Sequence, residues 1–332
     1  MTLTKKTVIL TLIVLIFALT PLSALTVKLG SPFPEGSAWD STLKRMAAEW
    51  AEISGGQVRM RIYPGGVAGD EPDMIRKMRF GQLDAAVLTI MGLKSIVPNS
   101  FVMALPGILQ SEEELDFAIE EFAPRFDEDF VREGFQVLAW SKTGWAYFYA
   151  QSPARTPNLL RNEKLSVSNT DGELAATFKA LRFNVVPVSM NQLMVSLQSG
   201  MVSAFYAPPL AAAAFQWFAL APYMIDFPFS PVLGGLVISE RTWNRIPSQF
   251  HRELKAAIQA VARDFYVESE RLNIEAMKVM NNNGLQLEVL SESEEQDWFD
   301  VMISGHALVV GDGKWVDEEL YDEFVSILEE MR

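Results

Sequence analysis

Residues 183–239 read FNVVPVSMNQLMVSLQSGMVSAFYAPPLAAAAFQWFALAPYMIDFPFSPVLGGLVIS and carry a single formal charge, Asp226, over 57 positions. Charged residues make up 21% of the whole chain, so this segment must lie mostly out of water. Burying an aromatic ring contributes roughly 1.5–3 kcal/mol. The second half of the segment holds eight such rings: Phe205, Tyr206, Phe215, Trp217, Phe218, Tyr223, Phe227 and Phe229. The segment is therefore a hydrophobic core, a membrane span or the wall of a pocket.

Prolines argue against a membrane span in this segment. A spanning helix needs about 20 predominantly apolar residues. Here Pro208, Pro209 and Gln216 interrupt the best candidate, and further prolines follow at 222, 228 and 231. Each proline removes a backbone donor that a lipid-exposed helix needs. A core is the ordinary interpretation, and a pocket wall requires evidence of a cleft.

The N-terminal residues have the order of a secretory signal peptide. Lys5 and Lys6 precede an apolar run from Val8 to Leu19, and Pro21 and small residues follow. We predict a signal peptide over residues 1–24, with cleavage after Ala24, and export to the periplasm. An uncleaved membrane anchor is the alternative.

The inventory of residue types excludes several classes of function. The chain has no Cys, which excludes a lipoprotein signal, disulfides and thiolate chemistry. The only histidines, His251 and His306, are far apart in sequence, which disfavours His-based metal sites and Ser-His hydrolysis. A carboxylate site for a hard cation stays open, but no cofactor or metal is predicted. A formal charge of −14 disfavours nucleic acid as a partner.

The order of elements predicts an α/β fold. Strands are expected at residues 25–29, 57–63, 84–89 and 135–140, and helices at 38–54 and 70–81, each with an apolar face at helical spacing. Capping boxes begin at Ser111, Thr170 and Ser189, and the first is expected to open one acidic helix to about Glu133. Residues 247–283 predict one helix of roughly 50 Å, at 1.5 Å per residue. Acidic helices starting near Ser291 and Asp317 complete the chain.

Several short motifs resemble the DctP-type substrate-binding proteins of tripartite ATP-independent periplasmic (TRAP) transporters. No single motif is decisive, but their order and spacing cover the mature chain almost end to end. They are Leu29-Gly30, Pro34-Glu35-Gly36-Ser37, Tyr63-Pro64-Gly65-Gly66, Gly81-Gln82-Leu83-Asp84, Phe178-Lys179-Ala180-Leu181 and Leu197-Gln198-Ser199-Gly200. The resemblance implies a periplasmic-binding-protein-like fold with two α/β domains around a ligand cleft, braced by a long helix. It also implies the membrane subunits of a TRAP transporter as partners, with a tetratricopeptide-repeat periplasmic protein as a further candidate partner.

On this resemblance we divide the chain at three points. Residues 25–150 form the first part of domain I, and residues 151–232 form domain II. Residues 233–332 return to domain I with a strand, the long spanning helix and the C-terminal helices.

The chain departs from the family pattern where that pattern supplies ligand contacts. Ser166 stands where the family usually has the arginine that clamps a substrate carboxylate. Ala146 stands in place of a second common arginine. The family's Asp-Gly-Gln-Glu-Asn-Pro run corresponds to Ser203-Ala-Phe-Tyr-Ala-Pro208. Burying a carboxylate without a cation costs several kcal/mol. We therefore predict a hydrophobic ligand: a lipid, a fatty acid whose headgroup stays near water or meets a cation such as Arg182, or an aromatic compound.

Eleven residues are predicted to contact this ligand, although their rings could instead only pack against one another. They are Phe33, Met91, Trp145, Ala146, Tyr147, Ser166, Ser168, Met190, Phe205, Tyr206 and Ala207. The leading function is that of a transport receptor. The alternative is a periplasmic interaction module with a decayed cleft. An enzyme is disfavoured, since Ser166 and Ser168 have no evident His partner.

Overall fold

The computed structural model describes residues 24–168 and 172–332, and it consists of one curled, mixed sheet with helices on both faces. The order along the sheet is β2-β1-β3-β9-β4-β7-β5-β6, with β8 on β4 and β10 on β8. The strands are β1 Leu25–Gly30, β2 Val58–Tyr63, β3 Ala85–Thr89, β4 Phe135–Ala150, β5 Lys164–Ser168, β6 Asn184–Val188, β7 Ala204–Ala207, β8 Tyr223–Ile225, β9 Ser230–Ser239 and β10 Gln286–Glu288.

Fourteen α-helices occur in the described part of the chain. They are α1 Ala38–Ile53, α2 Glu71–Arg79, α3 Ile90–Lys94, α4 Glu112–Phe117, α5 Asp127–Arg132, α6 Pro157–Leu160, α7 Gly172–Ala180, α8 Leu193–Gln198, α9 Pro209–Ala214, α10 Glu240–Trp243, α11 Ser248–Asn282, α12 Glu292–Ser304, α13 His306–Val309 and α14 Glu318–Met331. None of the helices within residues 24–168 and 172–332 is long and apolar enough to cross a membrane. Residues 1–23 of the predicted signal peptide, which covers residues 1–24, lie outside the described residues.

Two long antiparallel strands join the halves of the sheet. β4 pairs with β9 from Phe135↔Ser239 to Ala146↔Ser230, and the register shifts between Lys142 and Trp145. On one side of this pair lie β1, β2 and β3, and on the other lie β5, β6 and β7. Parallel strands pair within each half, with β1 beside β2 and β3, and β5 beside β6 and β7. Both halves are thus α/β, as the sequence predicts.

Side chains that alternate between the two faces of the sheet form a hydrophobic core on each face. In β4, Phe148 joins a cluster with Phe183 and Trp298, while its neighbour Tyr149 joins a cluster with Phe205 and Trp217 on the opposite face. Successive side chains of a strand point to opposite faces, so this split follows from the strand geometry. The segment at residues 183–239 contributes to both clusters, which confirms that much of it is core.

The long helix is confirmed and the acidic helix is not. Helix α11 runs for 35 residues, close to the predicted range 247–283. The single helix predicted from Ser111 to about Glu133 is wrong, because α4 is followed by a π turn (Ala118–Phe122) and a 3₁₀ turn (Ala123–Phe126) before α5. Pro124 has no N–H to continue an α-helix, which accounts for a break at that point.

The three predicted capping boxes have different outcomes in the structure. The Ser111 hydroxyl accepts from Glu114 N at 3.1 Å, as predicted. Ser189 makes no side-chain cap bond and precedes a 3₁₀ turn, Met190–Gln192, so that prediction is wrong. The box at Thr170 includes residues outside the described part. The domain boundaries at residues 150 and 232 stay a prediction.

Tyr149 provides a test of the core. Its ring stacks on Phe205 at 4.7 Å, and its buried hydroxyl has no hydrogen-bond partner among the described residues. An unsatisfied buried hydroxyl costs about 1–3 kcal/mol. We expect Tyr149→Phe to leave the free energy of unfolding unchanged or raise it, as measured by urea denaturation. Tyr266→Phe is the control: it loses a 3.0 Å hydrogen bond to Glu112 and should cost about 1 kcal/mol. A larger loss in Tyr149→Phe than in Tyr266→Phe would contradict this account.

Candidate ligand site

A cavity of about 290 Å³ lies between the two halves of the molecule, and we call it the main cavity. The first half contributes the loop after β1, the start of α2 and the junction between β3 and α3. The second half contributes β5, β7, part of α7 and the residues around the 3₁₀ turn at 190–192. The strands β4 and β9 supply Thr143, Ala146 and residues 230–233, which form the wall that is common to both halves.

Nine of the eleven residues predicted from the sequence line the main cavity. They are Phe33, Met91, Ala146, Ser166, Ser168, Met190, Phe205, Tyr206 and Ala207. The structure thereby brings together residues more than 170 positions apart in sequence. Whether these residues contact a ligand stays a prediction.

Trp145 and Tyr147 are not among the lining residues, contrary to their predicted place in the wall. They flank Ala146 along β4, where successive side chains point to opposite faces of the sheet. The Trp145 indole N–H donates instead to Glu112 at 2.7 Å. Tyr147 packs against the cluster around Tyr149, and burial, with smaller effects of Asp226 and Glu112, raises its pKa to about 12.

Sequence reasoning missed several cavity residues. Trp39 and Phe178 belong to helices and had been assigned to no site, and Phe215 and Trp217 were noted as aromatic but not placed in the pocket. The stacked pair Phe215 and Trp217, with ring centroids 4.5 Å apart, follows the aromatic strand β7 closely. That closeness in sequence is the signal that could have identified them.

The charged residues in the described wall of the main cavity are all acidic. Among the described residues that line the main cavity, Asp70 and Glu71 are the only charged ones, and none is Lys, Arg or His. Arg182, considered above as a possible cation, is exposed in the turn before β6 and is not in the lining. The remaining polar side chains carry hydroxyls, one amide and two indole N–H groups: Thr89, Thr143, Ser166, Ser168, Ser189, Tyr206, Ser230, Asn191, Trp39 and Trp217.

Glu71 connects the start of α2 to the junction of β3 and α3. Its carboxylate accepts from the Thr89 backbone N–H at 2.6 Å and from the Thr89 hydroxyl at 2.9 Å. Burial raises the pKa of this carboxyl, against the effect of hydrogen bonds from Thr89 and Gly92, and the nearby Asp70 charge raises it further. Asp70 caps α2 by accepting from Asp73 N at 3.1 Å. Both carboxylates therefore have structural partners.

The two halves meet across the cleft at Gly66 and Asn191. A Cβ added at Gly66 would collide with the Asn191 amide, which is the mobile end of a side chain and can rotate away. The Gly66 N–H donates to Ser31 O at 3.0 Å, so the loop after β2 is held against the segment that carries Phe33. The backbone φ of +73° at Gly66 favours glycine at this position.

An aromatic cavity closed between two α/β halves defines a small-molecule binding protein. The chain belongs to the DctP family, bacterial extracellular solute-binding protein family 7, whose family model matches residues 29–309. This confirms the resemblance inferred from the short motifs. It also confirms that the chain is not an enzyme, because the members of this family are binding proteins. Periplasmic location, a small-molecule ligand and TRAP membrane subunits are the expected setting of such a protein.

Two similar curated proteins illustrate the family. A solute-binding protein of Chromohalobacter salexigens is 29% identical over 172 residues, which span 51% of this chain and half of the relative's length. The 2,3-diketo-L-gulonate-binding periplasmic protein YiaO of Escherichia coli is 19% identical over 79% of this chain and 81% of its own.

Solved structures of TRAP periplasmic solute-binding proteins share the fold. One from Chromohalobacter salexigens, with bound D-glucuronate, has a TM-score of 0.83 at 19% identity and covers 92% of this chain and 100% of its own. One from Shewanella oneidensis, with bound succinate, has a TM-score of 0.83 at 15% identity and covers 91% and 99%. The predicted fold class is thus confirmed.

The contact between Gly66 and Asn191 can be tested by substitution. In Gly66→Ala the new methyl group requires the Asn191 side chain to rotate away, and φ at this position is +73°. Gly65→Ala is a matched control, since φ is +66° there and no atom of the described residues lies within 4 Å of its Cβ. Each alanine bears a backbone cost of about 1–2 kcal/mol. We expect Asn191→Gly to recover part of the stability lost in Gly66→Ala and none of that lost in Gly65→Ala, as measured by urea denaturation. Equal effects of Asn191→Gly in the two backgrounds would contradict the contact.

The raised pKa of Glu71 predicts a pH dependence of stability. A carboxyl whose pKa is raised on folding contributes stability that is full below the ordinary value of 4.5 and is lost as pH rises through the raised value. Glu71→Gln stays neutral and avoids that loss, so its stability relative to the parent protein should increase from pH 4.5 to 8. Thermal unfolding across this range measures the difference. Glu52→Gln, at an exposed site of α1, is the control, and parallel profiles for the two variants would refute the assignment.

Proposed function

We propose that this chain is a TRAP solute receptor for an apolar or weakly polar molecule without a carboxylate, bound in the main cavity. One observation carries the proposal: among the described lining residues there is no Lys, Arg or His. The solved relatives have bound D-glucuronate, galacturonate or succinate, all of which are carboxylates. A buried carboxylate costs several kcal/mol unless a cation or several N–H and O–H donors compensate it, and the described wall supplies no cation.

The acidic residues strengthen the argument. Asp70 and Glu71 would both lie on the wall of a cavity that held a carboxylate ligand, and like charges at close range repel. Ser166, at 7% exposure, and Ala146, at 4%, offer a hydroxyl and a methyl group where the resemblance leads us to expect arginines. These side chains suit a weakly polar group, which the hydroxyls of the wall can orient.

The aromatic walls supply the affinity for an apolar body. Phe205 is 1% exposed and Trp217 is 4% exposed, and their rings meet edge to face with centroids 5.6 Å apart. Such rigid walls bury apolar ligand area at small entropic cost. The proposed class is an aliphatic or aromatic compound with an uncharged polar end. The receptor is exported by residues 1–24 and delivers this ligand to the membrane subunits.

Decanol and decanoate give the sharpest comparison, because they share a chain length and differ in charge. Isothermal titration of protein purified without detergent should show micromolar binding of decanol and at least tenfold weaker binding of decanoate. Native mass spectrometry of the same preparation identifies any ligand that co-purifies.

Ser166→Arg should reverse this preference, because it places a cation in the cavity wall. We expect it to gain decanoate affinity and lose decanol affinity, whereas Ser152→Arg, at an exposed site, should change neither. Micromolar binding of sugar acids or dicarboxylates by the parent protein would refute the proposal. Failure of both classes to bind would favour the interaction-module alternative.

A further inference from the structure

A second, smaller cavity of about 50 Å³ lies behind the wall of the main cavity, and we call it the side cavity. Phe33 and Trp39 line both cavities. Their rings stack with centroids 4.4 Å apart and an interplanar angle of 7°. This aromatic pair is therefore the partition between the two spaces.

The side cavity lies between the sheet and two helices. Leu43 and Met46 come from α1, and Ala262 and Phe265 come from α11. Three neighbouring strands of the sheet supply Val87 from β3, Ala139 and Ser141 from β4, and Gly235 and Leu236 from β9. Thr42 of α1 completes the wall. No charged side chain is found among the described residues of this wall.

Small residues keep the side cavity open. Gly235 contributes only backbone atoms to the wall, because it has no side chain. Ala262 presents only a methyl group from α11 and is 8% exposed. Apolar cavities of this kind take up small apolar groups without displacing ordered water.

The partition has one anchored ring and one ring on a loop. Trp39 lies in the first turn of α1 and also contacts Phe265 of α11, with centroids 6.0 Å apart. Phe33 lies between β1 and α1, outside any helix or strand, and is half-buried. Rotation of the Phe33 side chain away from Trp39 joins the two cavities without moving a regular element.

We propose that the side cavity is a subsite for the end of an unbranched aliphatic chain, with Phe33 as its gate. This inference rests on the proposed function, because it requires an apolar ligand in the main cavity. The main cavity holds the polar end and most of the body of the ligand, and the side cavity sets the preferred chain length.

A series of n-alkanols from hexanol to dodecanol tests the subsite by isothermal titration. Each methylene removed from water should raise the affinity about fourfold until the side cavity is filled. Ala262→Leu fills the side cavity from a residue that does not line the main cavity. This variant should leave the affinity for hexanol unchanged. Its affinity should stop rising at a shorter alkanol chain length than that of the parent protein. Ala256→Leu, at an exposed position of α11, is the matched control and should keep the parent profile.

Met46→Ala is the complementary variant, and it decides the question if Ala262→Leu does not fold. It enlarges the side cavity, so its affinity should keep rising to a longer alkanol chain length than that of the parent protein. If affinity depends on alkanol chain length in Ala262→Leu and Met46→Ala as it does in the parent protein, the subsite is overturned and the proposed function stays intact. Failure of every alkanol to bind would also overturn the subsite, and sugar-acid binding in the same preparation would overturn the proposed function with it.

Discussion

The pairing of β4 with β9 is the constraint on which the rest of the molecule depends. Both strands are long enough to run through the two halves, so a single ladder fixes the position of one half relative to the other. The register shift between Lys142 and Trp145 lies where the strands pass from one half to the other. Thr143, Ala146 and residues 230–233 of this ladder line the main cavity, so the geometry of the candidate site follows from the same pairing.

A buried lysine reinforces the crossing. Lys142 is 3% exposed, forms an ion pair with Asp116 and lies 3.8 Å from Glu112. Its ammonium also lies 3.4 Å from the ring centroid of Tyr266 on α11. A buried charge is tolerated only when paired and hydrogen-bonded, and here the partners come from α4 and the long helix. Asn273, also on α11, bonds Thr143 O at 2.7 Å and the Leu210 N–H at 2.9 Å. The long helix thereby braces β4 and α9.

Local patterns predicted the elements of this fold but only part of its cavity. The spacing of apolar residues located α11 to within one residue at each end, because a long amphipathic stripe depends on sequence alone. The break near Pro124 was missed although the proline was visible, since the acidic pattern continued past it. The motif covers Trp145, Ala146 and Tyr147 together and so predicts all three in the wall, whereas β4 presents only Ala146 of the three to the main cavity. Trp39 and Glu71 could not have been assigned, because they reach the cavity through the packing of elements distant in sequence.

Charge explains why the segment at residues 183–239 can be both core and cavity wall. A cavity for an anion needs a buried cation or a set of N–H and O–H donors, and those groups in turn need polar support from the surrounding core. A cavity for an uncharged ligand has no such requirement, so its wall can continue into the core without polar support. Phe205 shows this continuity, since it lines the main cavity while stacking on Tyr149 inside the core. Under the proposed function, the near absence of charge from this segment reflects the ligand as well as the fold, because the same apolar residues serve both.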